Sequence, residues 1–194
     1  MSHRFASSAI VSLLSILKSY KSLVTAYMAS RQSEDEEDPV KYAIRGWDYA
    51  LELCLIIDLM QPITKVMCQV QKVNHNVWQA KSWIEQMIAH TEEALAGLSA
   101  LTDGTGTLES LGTLPAGLFP VTARHSEELA QHHFQGLELL PGWTIEMEDK
   151  GGVRWQELTF IEVIECICTL FTRILSNIKD RYDIDLSVVC FLFK

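Results

Sequence analysis

Apolar residues recur every three to four positions between Ser8 and Ala29, at Ile10, Leu13, Leu14, Leu17, Tyr20, Leu23, Val24 and Tyr27, and predict a helix. Serines and lysines fill much of its other face, and so wide an apolar stripe needs a partner. A second helix is predicted from Val40 to Leu59. There Trp47, Ala50, Leu51, Cys54, Leu55, Ile57 and Asp58 span much of the surface, the pattern of a centrally packed element. Pro62 predicts a kink or a restart, because proline lacks the amide proton and clashes with the preceding turn. A third helix is predicted from Ile63 to Leu98 on Val66, Val70, Val73, Val77, Trp78, Ile84, Met87, Ile88, Thr91 and Leu95. At full length it reaches roughly 54 Å. The last helix is predicted from Arg154 or Gln156 to Arg181, with Phe160, Val163, Ile164, Ile167, Cys168, Phe171, Ile174, Leu175 and Ile178 as its stripe.

Between these helices the pattern breaks. The acidic run from Glu34 to Asp38, within a linker over 31–38, ends in Asp38-Pro39, a residue pair suited to cap and open a helix. Residues 101–124 mix Gly104, Gly106, Gly112, Gly117, Pro115 and Pro120 with Thr and Leu, which predicts a flexible loop without regular structure. A short helix is expected from Ser126 to Phe134, capped by Ser126, followed by an extended or turning connection to Trp143 and a turn at Gly151-Gly152. From Leu186 to Phe193 the chain is dominated by β-formers. The expectation is a mostly α fold, a long-helix antiparallel bundle with a long Gly/Pro-containing loop and a candidate C-terminal β-strand. One helical domain covers 1–183. Residues 184–194 form an apolar tail, which as an unpaired strand reads as a truncated product and offers Val188, Phe191 and Phe193 for partner contacts.

Composition narrows the function. The 194 residues hold 48% hydrophobic and 21% charged residues, enough for a packed core. A net charge of −9 excludes a generally basic nucleic-acid-coating protein. Arg4, Lys18, Lys21, Lys65 and Lys72 are the cations from which a DNA-binding face would have to be built. Five cysteines and no recognisable secretory leader predict reduced thiols in the cytosol or nucleus. No run of eighteen apolar residues occurs, so no membrane span is expected.

Candidate chemistry is sparse. His125, Glu128 and His132 fall at i, i+3 and i+7 on one helix face, the one grouping suggestive of a metal site. Cys166 and Cys168 stand about 200° apart around a helix and cannot readily share a metal, so the cysteines read as buried core thiols. The carboxylate pairs Asp48/Glu52 and Glu162/Glu165 lack a third ligand and read as solvated faces. Asp58, in an apolar stretch near Pro62, is placed to cap the turn that restarts at the proline. Trp47, Trp78 and Trp83 lie among apolar residues without interleaved arginines and read as core. No Walker loop, dinucleotide-binding glycine motif or serine nucleophile elbow is present. No catalytic residue and no cofactor is assigned.

The order of several segments carries a resemblance. Arg4-Phe5-Ala6-Ser7-Ser8 leads into Leu13–Val24, and the second element reads Ala50-Leu51-Glu52-Leu53-Cys54-Leu55-Ile56-Ile57-Asp58-Leu59-Met60-Gln61-Pro62-Ile63-Thr64. Phe134-Gln135-Gly136-Leu137 and the closing Leu175–Tyr182 follow. The chain resembles the hAT-family transposases and their domesticated zinc-finger relatives over most of its length. In that family a helical insertion domain interrupts a ribonuclease-H-like core whose acidic triad binds two metal ions. The resemblance implies that this chain corresponds to the insertion region. The first two catalytic acids would lie upstream of Met1 and the third beyond Lys194, so no acid here is carried over as catalytic. The insertion domain's cysteine-histidine motif is not evident. The implied reading is a non-catalytic nuclear protein, with the cytoplasm as the alternative location. It acts through a protein partner or as a homo-oligomer. A residual DNA-binding role is the runner-up, and a metal-dependent enzyme is the least supported.

Overall fold

The computed structural model describes residues 4–30, 43–71, 77–103, 105–147 and 153–182. The chain is mostly α, a helical bundle, as its periodicities predict. Its helices are α1 (Arg4–Ser30), α2 (Trp47–Val70), α3 (Val77–Ser99), α4 (Pro120–Ala130) and α5 (Phe160–Tyr182). A 3₁₀ helix spans Leu108–Thr113, and two small hairpins pair β1 (His133–Phe134) with β2 (Leu137–Glu138) and β3 (Trp143–Met147) with β4 (Val153–Glu157).

α2 is the axis of the bundle and packs against α1, α3, α4 and α5. Its apolar residues occupy nearly the whole circumference, and Ala50, Leu51, Cys54, Leu55 and Ile57 are fully buried. That burial decides the fate of Pro62. The helix does not restart at the proline but runs through it to Val70. An interior proline costs about 3 kcal/mol, but burying Leu59, Ile63 and Thr64 on either side requires helix on both flanks. Val70 is instead the last residue of α2, with Gln71 at its capping position. The single helix expected over 63–98 is therefore divided between the end of α2 and α3.

The glycine- and proline-rich stretch 101–124 also differs from expectation. It contains the 3₁₀ helix and the first turns of α4, and Leu108, Leu111, Leu114, Phe119, Val121 and Thr122 are buried. Here glycine permits close packing rather than looseness: a Cβ on Gly106 would collide with the Leu101 carbonyl oxygen. The short helix expected at Ser126 starts six residues earlier, with Pro120 at its first position, and ends at Ala130. The Ser126 hydroxyl donates to the Ala123 carbonyl (3.0 Å) from inside the helix and caps nothing.

The connection after α4 forms the β1–β2 hairpin. Gln135 (φ 52°) and Gly136 (φ 74°) both take positive φ at its two-residue tip, the backbone that a tight hairpin requires. Leu140 then bridges to Gly46, and Trp47 N–H donates to the Leu140 carbonyl (3.1 Å), anchoring the hairpin to the start of α2. Helix α5 begins at Phe160 rather than Arg154 or Gln156, because 153–157 pair as β4. Thr159 and Glu162 close its N-terminus reciprocally. Thr159 N–H and Oγ1 donate to Glu162 Oε2 (2.7 and 2.8 Å), and Glu162 N–H donates to Thr159 Oγ1 (3.3 Å).

The acidic run 34–38, the turn at Gly151-Gly152, Lys72 and the tail with Val188, Phe191 and Phe193 lie outside the described residues. So does the Arg4 side chain.

Candidate functional site

The second half of α2 presents Asp58, Gln61, Lys65 and Gln69 at intervals of three to four residues, a polar row on an otherwise apolar helix. Trp83, Gln86, Met87 and His90 follow the same spacing on α3. The two rows line an open cleft of about 650 Å³, to which Gly117, Leu118 and Pro120 also contribute. Pro62, Val66, Met87 and Leu118 supply apolar surface, and Trp83 stands half-buried against it. Lys65 is exposed and His90 half-buried along the same cleft.

Asp58 ties the cleft to the neighbouring helix. The residue is 3% exposed. Val121 N–H donates to Asp58 Oδ1 (2.9 Å), and Thr122 N–H and Oγ1 both donate to Asp58 Oδ2 (2.8 Å each). Val121 and Thr122 are the second and third residues of α4, whose first amides have no partner within the helix. Phe119, at the capping position, supplies no side-chain acceptor. The carboxylate from α2 takes over that role and also meets the positive end of the α4 dipole. The expected local cap near Pro62 is thus a cap on a helix more than sixty residues away in sequence. Burial pushes the Asp58 carboxyl above its ordinary range, against the lowering effect of the three hydrogen bonds and of Arg124.

On the other side of α2 the β1–β2 tip clasps α1. Gln135 Nε2 donates to the Leu17 carbonyl (2.6 Å), and Lys21 N–H donates to Gln135 Oε1 (3.4 Å). One side chain therefore engages both ends of a turn of α1, the carbonyl at i and the amide at i+4. Phe134 packs edge-on against Tyr20, with ring centroids 4.9 Å apart, and Tyr20 OH donates to the Ile44 carbonyl (2.6 Å). Burial raises the Tyr20 hydroxyl well above its ordinary range, so it serves as a neutral donor.

This clasp absorbs the expected histidine grouping. His125 Nδ1 lies 3.4 Å from Glu128 Oε2, and that same oxygen accepts from Gln135 N–H (2.9 Å). His132 leaves α4 in a left-handed turn at φ 53°. The three do not form a ligand set, and among the described residues no three His, Cys, Asp or Glu side chains are grouped to hold a metal.

The expected DNA contacts are spread along the bundle. Lys18 and Lys21 are exposed on α1 beside the hairpin, at the start of α2 where Tyr20 stacks on Tyr49. Lys65 lies sixteen residues further along α2, or about 24 Å of helix. Trp47 is buried as expected, but Trp78 is 58% exposed and Trp83 borders the cleft. The thiols also divide: Cys54 is buried and its thiol is raised by burial, whereas Cys166 is exposed. Sequence reasoning missed Gln61, Gln69, Gln86 and Gln135 as working residues. The usable signal for Gln61 and Gln69 was a polar row on a helix too apolar to need one.

Helices 8–29 and 47–70 are long and apolar enough by composition to cross a membrane, but α2 spends that character on the core. The chain matches no protein-family model, no curated protein and no solved structure.

Proposed function

We propose that this chain is a non-catalytic, transposase-derived helical module that works through protein contacts, in the nucleus. The observation that carries this reading is the open cleft between α2 and α3, with an apolar bed and a rim of glutamine amides, Lys65 and His90. Such a surface suits a partner segment that inserts an aromatic or aliphatic side chain and presents a carboxylate to Lys65. The Asp58 carboxylate does not compete for that partner, since its oxygens are committed to α4. The transposase origin rests on the ordered sequence segments that carry the resemblance.

The test is selection from a random peptide library against the full chain. Peptides with an acidic residue beside an aromatic or large aliphatic one should be enriched, and Lys65→Glu should weaken the selected peptides at least about tenfold. A library that yields no consensus would overturn the reading. So would salt-sensitive binding of duplex DNA that disappears with Lys18→Glu and Lys21→Glu, which would replace it with the DNA-binding one.

A further inference from the structure

One face of α2 is followed by another helix for only part of its length. Leu51, Cys54, Asp58, Gln61, Lys65 and Gln69 recur at intervals of three or four and share that face. Helix α4 packs on its first part and runs antiparallel to α2. The start of α4 meets Asp58 through Val121 and Thr122. Near its end, the Glu128 charge helps to raise the Cys54 thiol. Pro120, the first residue of α4, lines the cleft, and beyond it the same face of α2 continues as Gln61, Lys65 and Gln69.

We propose that the partner segment enters this cleft as an acidic amphipathic helix, lying along α2 where α4 stops. The inference rests on the protein-contact reading above and adds the partner's form. The described residues that line the cleft come from α2, α3 and 117–120, and none belongs to a strand. An extended peptide would find no sheet edge to pair with there, whereas a helix satisfies its own backbone and needs only side-chain contacts. The row from Gln61 to Gln69 advances eight residues along α2, or about 12 Å, which matches slightly more than two turns of an occupant. Apolar anchors at i, i+4 and i+7 fit within that length and meet the apolar surface of Pro62, Val66 and Met87. Charge is one-sided as well. Asp58 is the one acid in the lining and its oxygens are engaged by α4, which leaves Lys65 to select a carboxylate one turn from the anchors.

Two peptide libraries test the form separately from the contact. One places Leu, Met or Trp at i, i+4 and i+7 of an alanine-rich helical host. The other places the same residues at alternate positions of a threonine-rich host, and both carry randomised acidic positions. Each is selected against the full chain. The expected result is enrichment from the helical library, with Asp or Glu one turn from an anchor. Fluorescence anisotropy of the enriched peptides should show binding weakened at least about tenfold by a central proline in the peptide and by Lys65→Glu in the protein. Gln86→Trp, which fills the cleft from an exposed position of α3, should weaken binding similarly. Enrichment from the alternating library, alone or equally, overturns the helical form and keeps the protein-contact reading, provided that the same two variants abolish it. Enrichment from neither library removes both. Helical peptides that bind the two variants as tightly as the parent chain overturn the assigned cleft.

Discussion

Asp58 and Thr122 are joined twice, because the backbone amide and the hydroxyl of Thr122 both donate to Asp58 Oδ2 at 2.8 Å. With Val121 N–H on Oδ1, one carboxylate saturates the start of α4 from inside α2. Asp58→Ala leaves two buried amides without acceptors and opens a void. It is expected to lower unfolding stability by about 2–4 kcal/mol in urea denaturation. Thr122→Val removes only the hydroxyl bond and should cost about 1 kcal/mol. Equal effects of the two substitutions would show that the backbone amides find other acceptors.

Asp58, Asp48 and Glu52 all lie on α2, and burial raises the pKa of each; for Glu52 the Asp48 charge adds to the effect. A carboxyl with a raised folded-state pKa binds its proton more tightly in the native than in the unfolded chain. Its contribution is therefore complete below the unfolded pKa and is lost as pH rises through the folded one. Stability should decline as pH rises from about 4 into the window above the ordinary carboxylate range. Asp58→Asn should flatten that slope as well as lowering the curve. Denaturation midpoints taken across the range check this, and an unchanged slope in Asp58→Asn would remove Asp58 as a source of the pH dependence.

The Gln135 clasp makes a local prediction. Gln135→Ala deletes both bonds to α1 while leaving Phe134 in place, with an expected cost of about 1–2 kcal/mol. Hydrogen exchange at Lys21 and the following turn of α1 should accelerate more than exchange in α2. Gly136→Ala strains a backbone at φ 74° and should cost about 1 kcal/mol. A uniform acceleration over both helices would mean that the hairpin supports the whole core rather than α1 specifically.

The helical stripes were legible because burial and periodicity are written in the same residues. Trp47, Ala50, Leu51, Cys54, Leu55, Ile57 and Asp58 on α2, and Phe160, Val163, Ile164, Ile167, Phe171 and Leu175 on α5, are buried where their spacing placed them, while Cys168, Ile174 and Ile178 of the same stripe are half-buried. The boundaries were less legible. Pro62 signals a break locally, and only the core around Ile63 and Leu59 overrides it. The 101–124 stretch reads as loop because its glycines and prolines have no local period, while its order comes from Leu111 and Phe119 entering a core made by other elements. The site was hardest. Asp58 stood out as an acid among apolar residues, but its partners are sixty-three and sixty-four residues away, and no spacing rule reaches that far.

Thr159-Phe160-Ile161-Glu162 is a capping signature that does locate the true start of α5, and it also makes an opposite pH prediction. Thr159→Ala removes the hydroxyl that accepts from Glu162 N–H and should lower stability by about 1 kcal/mol near neutral pH. The hydrogen bonds from Thr159 hold the Glu162 carboxyl below its ordinary range. A depressed carboxylate contributes stability above its unfolded pKa and loses it as pH falls through the folded value. The penalty of Thr159→Ala should therefore shrink on acidification, where that of Asp58→Asn follows the contrary trend. Unfolding curves for the two single variants and the double variant, at neutral and acidic pH, separate these effects. Because the two sites share no partner, their penalties should add at each pH. A Thr159→Ala penalty that is independent of pH would assign the cap's value to the hydroxyl bond alone and exclude the carboxylate.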